Sequence, residues 1–77
     1  MNVERLIEMA NDIANFFAGD PDRQAGIDGV ANHLRRFWDP RMRKQLLAHV
    51  AAHGPSGLNE LAQAGVAKLA AMSATPA

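Results

Sequence analysis

The 77-residue sequence predicts an all-α fold: one small bundle of about four short helices. Three observations carry that prediction. No stretch alternates apolar and polar residues with period two. Apolar residues recur instead at helical spacing throughout. Helix stops and starts also punctuate the chain at Gly19-Asp20-Pro21, Asp39-Pro40 and His53-Gly54-Pro55.

The first helix is expected over 3–18. Val3, Leu6, Ile7, Ala10, Ile13, Ala14 and Phe17 form one stripe, and Glu4, Glu8, Asn11, Asp12 and Asn15 the opposite face. Gly19 is a natural stop and Asp20-Pro21-Asp22 a turn. The second helix is expected over 23–37, with Ile27, Val30, Ala31, Leu34 and Phe37 on its apolar face. Gly26 and Gly29 each lower its propensity by roughly 1 kcal/mol relative to alanine, and such small residues also let another helix approach closely. Arg35 and Arg36 fall in its last turn, where the helix dipole favours cations.

Asp39-Pro40 ends that helix and opens the next. The residue before proline is pushed out of the α region, Asp is a strong N-cap and Pro a favoured first helical residue. The third helix is expected over 40–52, with Met42, Leu46, Leu47 and Val50 inward. Arg41 and Arg43 stand in its first turn, where the dipole disfavours cations by roughly 0.3–1 kcal/mol. Something outside the helix must offset that placement: the acidic N-terminal half or a partner. The fourth helix is expected over 58–72, with Leu58, Leu61, Ala62, Gly65, Val66 and Leu69 on one side. Its alanine-rich, weakly apolar face predicts the least firmly packed helix of the four. Residues 1–72 form a single domain, and 73–77 are expected to be a disordered tail.

Composition narrows the function classes. Hydrophobic residues are 48% of the chain, but fifteen of them are alanine, which leaves a thin core. A chain of this length buries only about 60–65% of the surface its unfolded form exposes. With no cysteine there is no disulfide staple, thiol nucleophile or cysteine metal site. An unstapled domain of this size often leans on a partner, and self-association of the isolated chain is an open alternative. The N-terminus has acidic residues where a signal peptide needs positive charge, and no apolar run approaches the roughly 18 residues of a membrane span. A soluble, cytoplasmic protein that does not bind membrane is expected.

No catalytic, cofactor-binding or metal-binding residue is assigned. Ser56 and Ser73 lie in a turn and a tail with no histidine–carboxylate arrangement around them. Glu4, Glu8 and Asp12 read as a solvated or docking face rather than paired catalytic carboxylates. His49 and His53 stand four apart on a helix with no third ligand evident. No glycine pattern cradles a phosphate.

Net charge is zero, yet residues 1–34 carry −4 and residues 35–77 carry +4. Either the halves pack on each other with complementary charge, or the basic cluster meets an acidic or phosphate-bearing partner. Residues 33–43, His-Leu-Arg-Arg-Phe-Trp-Asp-Pro-Arg-Met-Arg, hold the only tryptophan and four of the six arginines. Phe37 and Trp38 either both anchor the core, or one projects as an interface hot spot, for which tryptophan and arginine are the enriched types. Phe16 and Phe17 pose the same question, since adjacent helical positions cannot both face one narrow stripe. The candidate partner-binding residues are Arg35, Arg36, Trp38, Arg41, Arg43 and Lys44. A small helical nucleic-acid-binding regulator is the alternative; the neutral balance, the acidic first helix and the lack of a glycine-containing helix–turn–helix corner count against it.

Met9-Ala10-Asn11-Asp12-Ile13-Ala14-Asn15-Phe16-Phe17, followed by the 33–43 segment and Leu46-Leu47-Ala48-His49, closely resembles the small delta subunit of cytoplasmic NAD-dependent, molybdenum-containing formate dehydrogenases. The resemblance covers roughly residues 3–70, and its second motif is the specific one. It implies a non-catalytic partner of a large catalytic subunit, assisting its maturation or stabilising the complex. It further implies that bis-molybdopterin guanine dinucleotide, iron–sulfur clusters, FMN and NAD are held on other subunits.

Overall fold

The computed structural model describes residues 2–74: four α-helices, and no strand among the described residues. Helix α1 spans Val3–Phe17, α2 Arg23–Phe37, α3 Pro40–His53 and α4 Glu60–Ala74. The first three lie within one residue of their expected bounds. Helix α4 begins two residues later than expected and runs to Ala74; residues 75–77 of the expected tail lie outside the described residues.

Side-chain caps set all four helix starts. The Asn2 side chain accepts from the Glu4 amide at 2.7 Å. Asp22 accepts from the Gln24 and Ala25 amides at 3.0 and 3.3 Å, while Asp20 holds the Asp22 amide at 2.8 Å. Asp39 accepts from the Met42 amide at 3.0 Å with Pro40 just inside the helix, as the Asp-Pro pair predicts.

The start of α4 is set by Asn59, whose side chain accepts from the Ala62 amide at 2.8 Å. Asn11 of α1 reaches across to this turn. Its amide donates to the Gly57 carbonyl at 2.8 Å, and its oxygen accepts from the Asn59 backbone N–H at 2.8 Å. Leu58 is therefore a buried loop residue rather than the first residue of the helix. The loop bends through Gly54 and Gly57, at φ 86° and 92°, a region that glycine enters without a Cβ penalty. At Gly57 a Cβ would also meet the Ile7 side chain tightly, at 3.3 Å.

One core joins all four helices: Leu6, Ala10 and Ala14 of α1, Val30, Ala31 and Leu34 of α2, Leu46 of α3, and Ala62, Val66 and Leu69 of α4, with Trp38 and Leu58 from the connections. The most extensive packing is α2 against α4; α1 lies on both, and α3 rests mainly on α1. This reverses the expectation for α4. Its small residues are what seat it: Gly65 lies so close to Val30 that a Cβ there would collide with the valine side chain. Gly26 of α2 likewise meets the Phe17 carbonyl and Leu61. Alanine and glycine let backbones approach, so a weakly apolar face makes the closest contact. Two ion pairs flank that interface, Asp28 with Lys68 and Arg23 with Glu60 at 2.8 Å. Helix α3 is the loosely seated element instead; Leu46 is its one fully buried side chain.

Candidate docking surface

The connection between α2 and α3 is built by a change of backbone state. Phe37 is the last residue of α2, and Trp38 leaves the helix at φ −83°, ψ 141° with its N–H still bonded to the Leu34 carbonyl at 3.2 Å. The extended residue, rather than the last helical one, takes the inward position. Trp38 is 5% exposed and belongs to the core, whereas Phe37 is 69% exposed. Of the two readings for this pair, the structure shows the one in which a ring projects: Phe37 leaves the apolar face of α2 on which it was expected, while Trp38, among the candidate partner-binding residues, packs in the core.

The candidate basic residues separate into two groups. Arg43 is turned inward. One guanidinium nitrogen donates to the Arg35 carbonyl at 2.9 Å and to the Trp38 carbonyl at 2.6 Å, at the C-terminal end of α2. The negative end of the α2 dipole thus offsets a cation that the first turn of α3 disfavours. Arg35, Arg36, Arg41 and Lys44 are exposed. Among the described residues none of the four forms an ion pair, and the Arg36 guanidinium lies over the Phe37 ring, 5.7 Å from its centroid. The carboxylate of Asp39, the acid of this corner, is engaged as the α3 cap. Complementarity between the acidic and basic halves is realised at Asp28–Lys68 and inverted at Arg23–Glu60, and it does not reach the corner.

Beside the corner lies an aromatic ridge drawn from two helices. Phe16 and Phe17 meet edge-to-face at 5.1 Å, Phe17 and His33 likewise at 6.4 Å, and His33 and Phe37 at a tilt at 4.8 Å. Phe17 is wedged onto α2 at Gly29, where a Cβ would fall 2.5 Å from the ring. With Phe17 committed to α2, Phe16 points about 100° away around the helix and is 79% exposed. An open hollow of about 320 Å³ is bounded by Asp12, Ile13, Phe16, Phe17 and His33. From sequence, Phe16 and Phe37 are each one of a pair of rings of which one could project, though neither stands among the candidate partner-binding residues; His33 is not singled out. The Phe16-Phe17 adjacency is the signal that requires one ring to face outward.

The His49 and His53 rings lie 5.0 Å apart, and among the described residues no group of three His, Asp or Glu side chains can hold a metal ion. No helix of the described residues is long and apolar enough to cross a membrane.

The surface is thus one of cations and aromatic rings. A protein-family model described as the NADH-dependent formate dehydrogenase delta subunit FdsD matches residues 5–66. No curated protein and no solved structure matches the chain. The family match takes in both segments whose wording is distinctive, Met9–Phe17 and His33–Arg43, together with the ridge and corner they build. The chain belongs to the family of delta subunits of NADH-dependent formate dehydrogenase.

Proposed function

We propose that this protein is a non-catalytic, cytoplasmic subunit that docks on the large catalytic subunit of a formate dehydrogenase and either stabilises the assembled complex or assists its maturation. The molybdenum, iron–sulfur, flavin and NAD chemistry then lies on other subunits. One observation carries the docking reading. Arg35, Arg36, Arg41 and Lys44 project from a corner that Asp39 and Arg43 hold in place, and no acid of the described residues neutralises them. Arginine forks on such a corner suit carboxylates of a larger protein and set register as well as affinity.

The test is co-purification from the native host with a tag on this chain, comparing wild type with Arg36→Glu, Arg41→Glu and Lys44→Glu. Formate dehydrogenase subunits should accompany the wild type and be reduced with each reversal. If the wild type brings none of them, the chain does not act as a subunit. The same exposed cations favour one rival, a nucleic-acid-binding regulator. That protein would retard DNA or RNA with a steep salt slope, and a subunit would not.

A further inference from the structure

We propose that the ridge of Phe16, Phe17, His33 and Phe37 is an anchor cleft that seats an apolar side chain from an acidic segment of a neighbouring formate dehydrogenase subunit, with Arg36 and Arg35 receiving the carboxylate beside it. This rests on the reading of the chain as a complex subunit, and it assigns affinity to a part of the surface separate from Arg41 and Lys44.

Among the described residues, the two large hydrophobic side chains that the fold leaves exposed, Phe16 and Phe37, lie at the two ends of one continuous row of rings. Helix α1 contributes two of the rings and α2 the other two, so the row exists only in the folded chain. It is also held in place before any partner arrives. Phe17 is locked against Gly29, Phe16 leans on Phe17, and His33 bridges Phe17 to Phe37. A preorganised aromatic surface loses little side-chain freedom on binding. The hollow beside Phe16, about 320 Å³ and bounded by Ile13, Phe16, Phe17 and His33 with Asp12 at one side, offers a seat for an apolar side chain, while the carboxylates of the same segment are received at the other end of the row.

Charge selects the occupant. At the Phe37 end, Arg36 lies over the ring face and Arg35 precedes it, both exposed and without a carboxylate partner among the described residues. A guanidinium already positioned on a ring can receive a carboxylate in its own plane. In a symmetric dimer centred on Phe37 a second copy of this chain would bring its own basic corner toward this one, whereas an acidic segment of another subunit complements it.

The experiment expresses tagged full-length chain in the native host lacking its own copy, and measures formate dehydrogenase subunits recovered per tagged chain. The variants are Phe16→Ser, Phe37→Ser and Arg36→Glu. Because both phenylalanines are solvent-exposed, circular dichroism melts of the isolated variants should match wild type. Recovery should fall about tenfold or more for each phenylalanine variant, as for a hot-spot residue, and for Arg36→Glu the loss should shrink as salt is raised. Undiminished recovery with Phe16→Ser and Phe37→Ser, while wild type recovers the complex, overturns the cleft and leaves the subunit reading standing. No recovery with wild type overturns both. If isolated wild type sediments as a dimer that Phe37→Ser dissociates, the cleft is occupied by a second copy and the assignment to another subunit is overturned.

Discussion

Arg43 reaches back from the first turn of α3 to the carbonyl of Trp38, 2.6 Å from one guanidinium nitrogen, and the same nitrogen lies 2.9 Å from the carbonyl of Arg35. This contact joins the end of one helix to the start of the next. It also explains why an arginine is tolerated where the α3 dipole opposes it: the carbonyls at the end of α2 carry the complementary partial charge. Arg43→Met should therefore destabilise the isolated chain by about 1–2 kcal/mol, and Arg43→Lys should recover only part of that loss. Trp38, the single tryptophan and buried, reports urea unfolding by fluorescence. Arg41→Met at an exposed neighbouring site should leave the midpoint unchanged. Equal midpoints for Arg43→Met and wild type would remove the structural role given to Arg43.

The contact between Gly65 and Val30 makes a second prediction, one with a sign opposite to helix propensity. Alanine in place of glycine inside an exposed helix gains about 1 kcal/mol. At Gly65 the added methyl would collide with the Val30 side chain at the α2–α4 interface. Gly65→Ala should instead cost about 1–3 kcal/mol, as overpacking does. In a Val30→Ala background the same change should be tolerated, giving a coupling of about 1–2 kcal/mol in a double-mutant cycle. A stabilised Gly65→Ala protein would mean that the two helices stand further apart than described.

The helix boundaries fixed by covalent chemistry were legible in the sequence, and those fixed by tertiary contact were not. Asp39-Pro40 dictates its own geometry, so α2 and α3 end and begin where expected. The start of α4 was misplaced because Leu58 falls in helical phase with Leu61, while the deciding partner, Asn11, lies 48 positions from Asn59. Apolar periodicity also put Phe37 inside. Phe37 is still helical, but the chain turns extended at the next residue, and Trp38 takes the inward position while the Phe37 ring stays outside. The basic corner could be read from residue types alone. The aromatic ridge could not, because the exposure of Phe16 follows from how Phe17 seats on Gly29.

Asn11 and Asn59 form the clamp that the sequence concealed. Asn59→Ala removes the α4 cap and should cost about 1–2 kcal/mol. Asn11→Ala leaves the Gly57 carbonyl and the Asn59 amide without their α1 partner, at a cost of about 1 kcal/mol for each hydrogen bond lost. The two substitutions should be less than additive, since loss of the cap already loosens the turn that Asn11 grips. Amide hydrogen exchange offers the direct check: protection at Asn59 and Ala62 should fall in both variants, while protection in α2 is kept. Strict additivity with unchanged exchange would show that the clamp does not act as a unit.

Asp28 on α2 and Lys68 on α4 supply the pH dependence. Hydrogen bonding to the Lys68 ammonium, and then to the Gln24 amide, holds the Asp28 carboxyl below its ordinary value of 3.8. The folded state therefore takes up this proton at lower pH than the unfolded state does. The contribution to stability is present in full above 3.8 and is lost as pH falls through the lowered folded value. Asp28→Asn should lower the urea midpoint at neutral pH, and the gap to wild type should close as the solution is acidified below 3.8. Lys68→Met should behave likewise, since it removes the principal cause of the shift. Added salt should narrow the gap at neutral pH, because both side chains of the pair retain more than a third of their exposure. Midpoints of wild type and Asp28→Asn that run parallel through the acid range would show that this pair contributes nothing to the acid sensitivity of the fold.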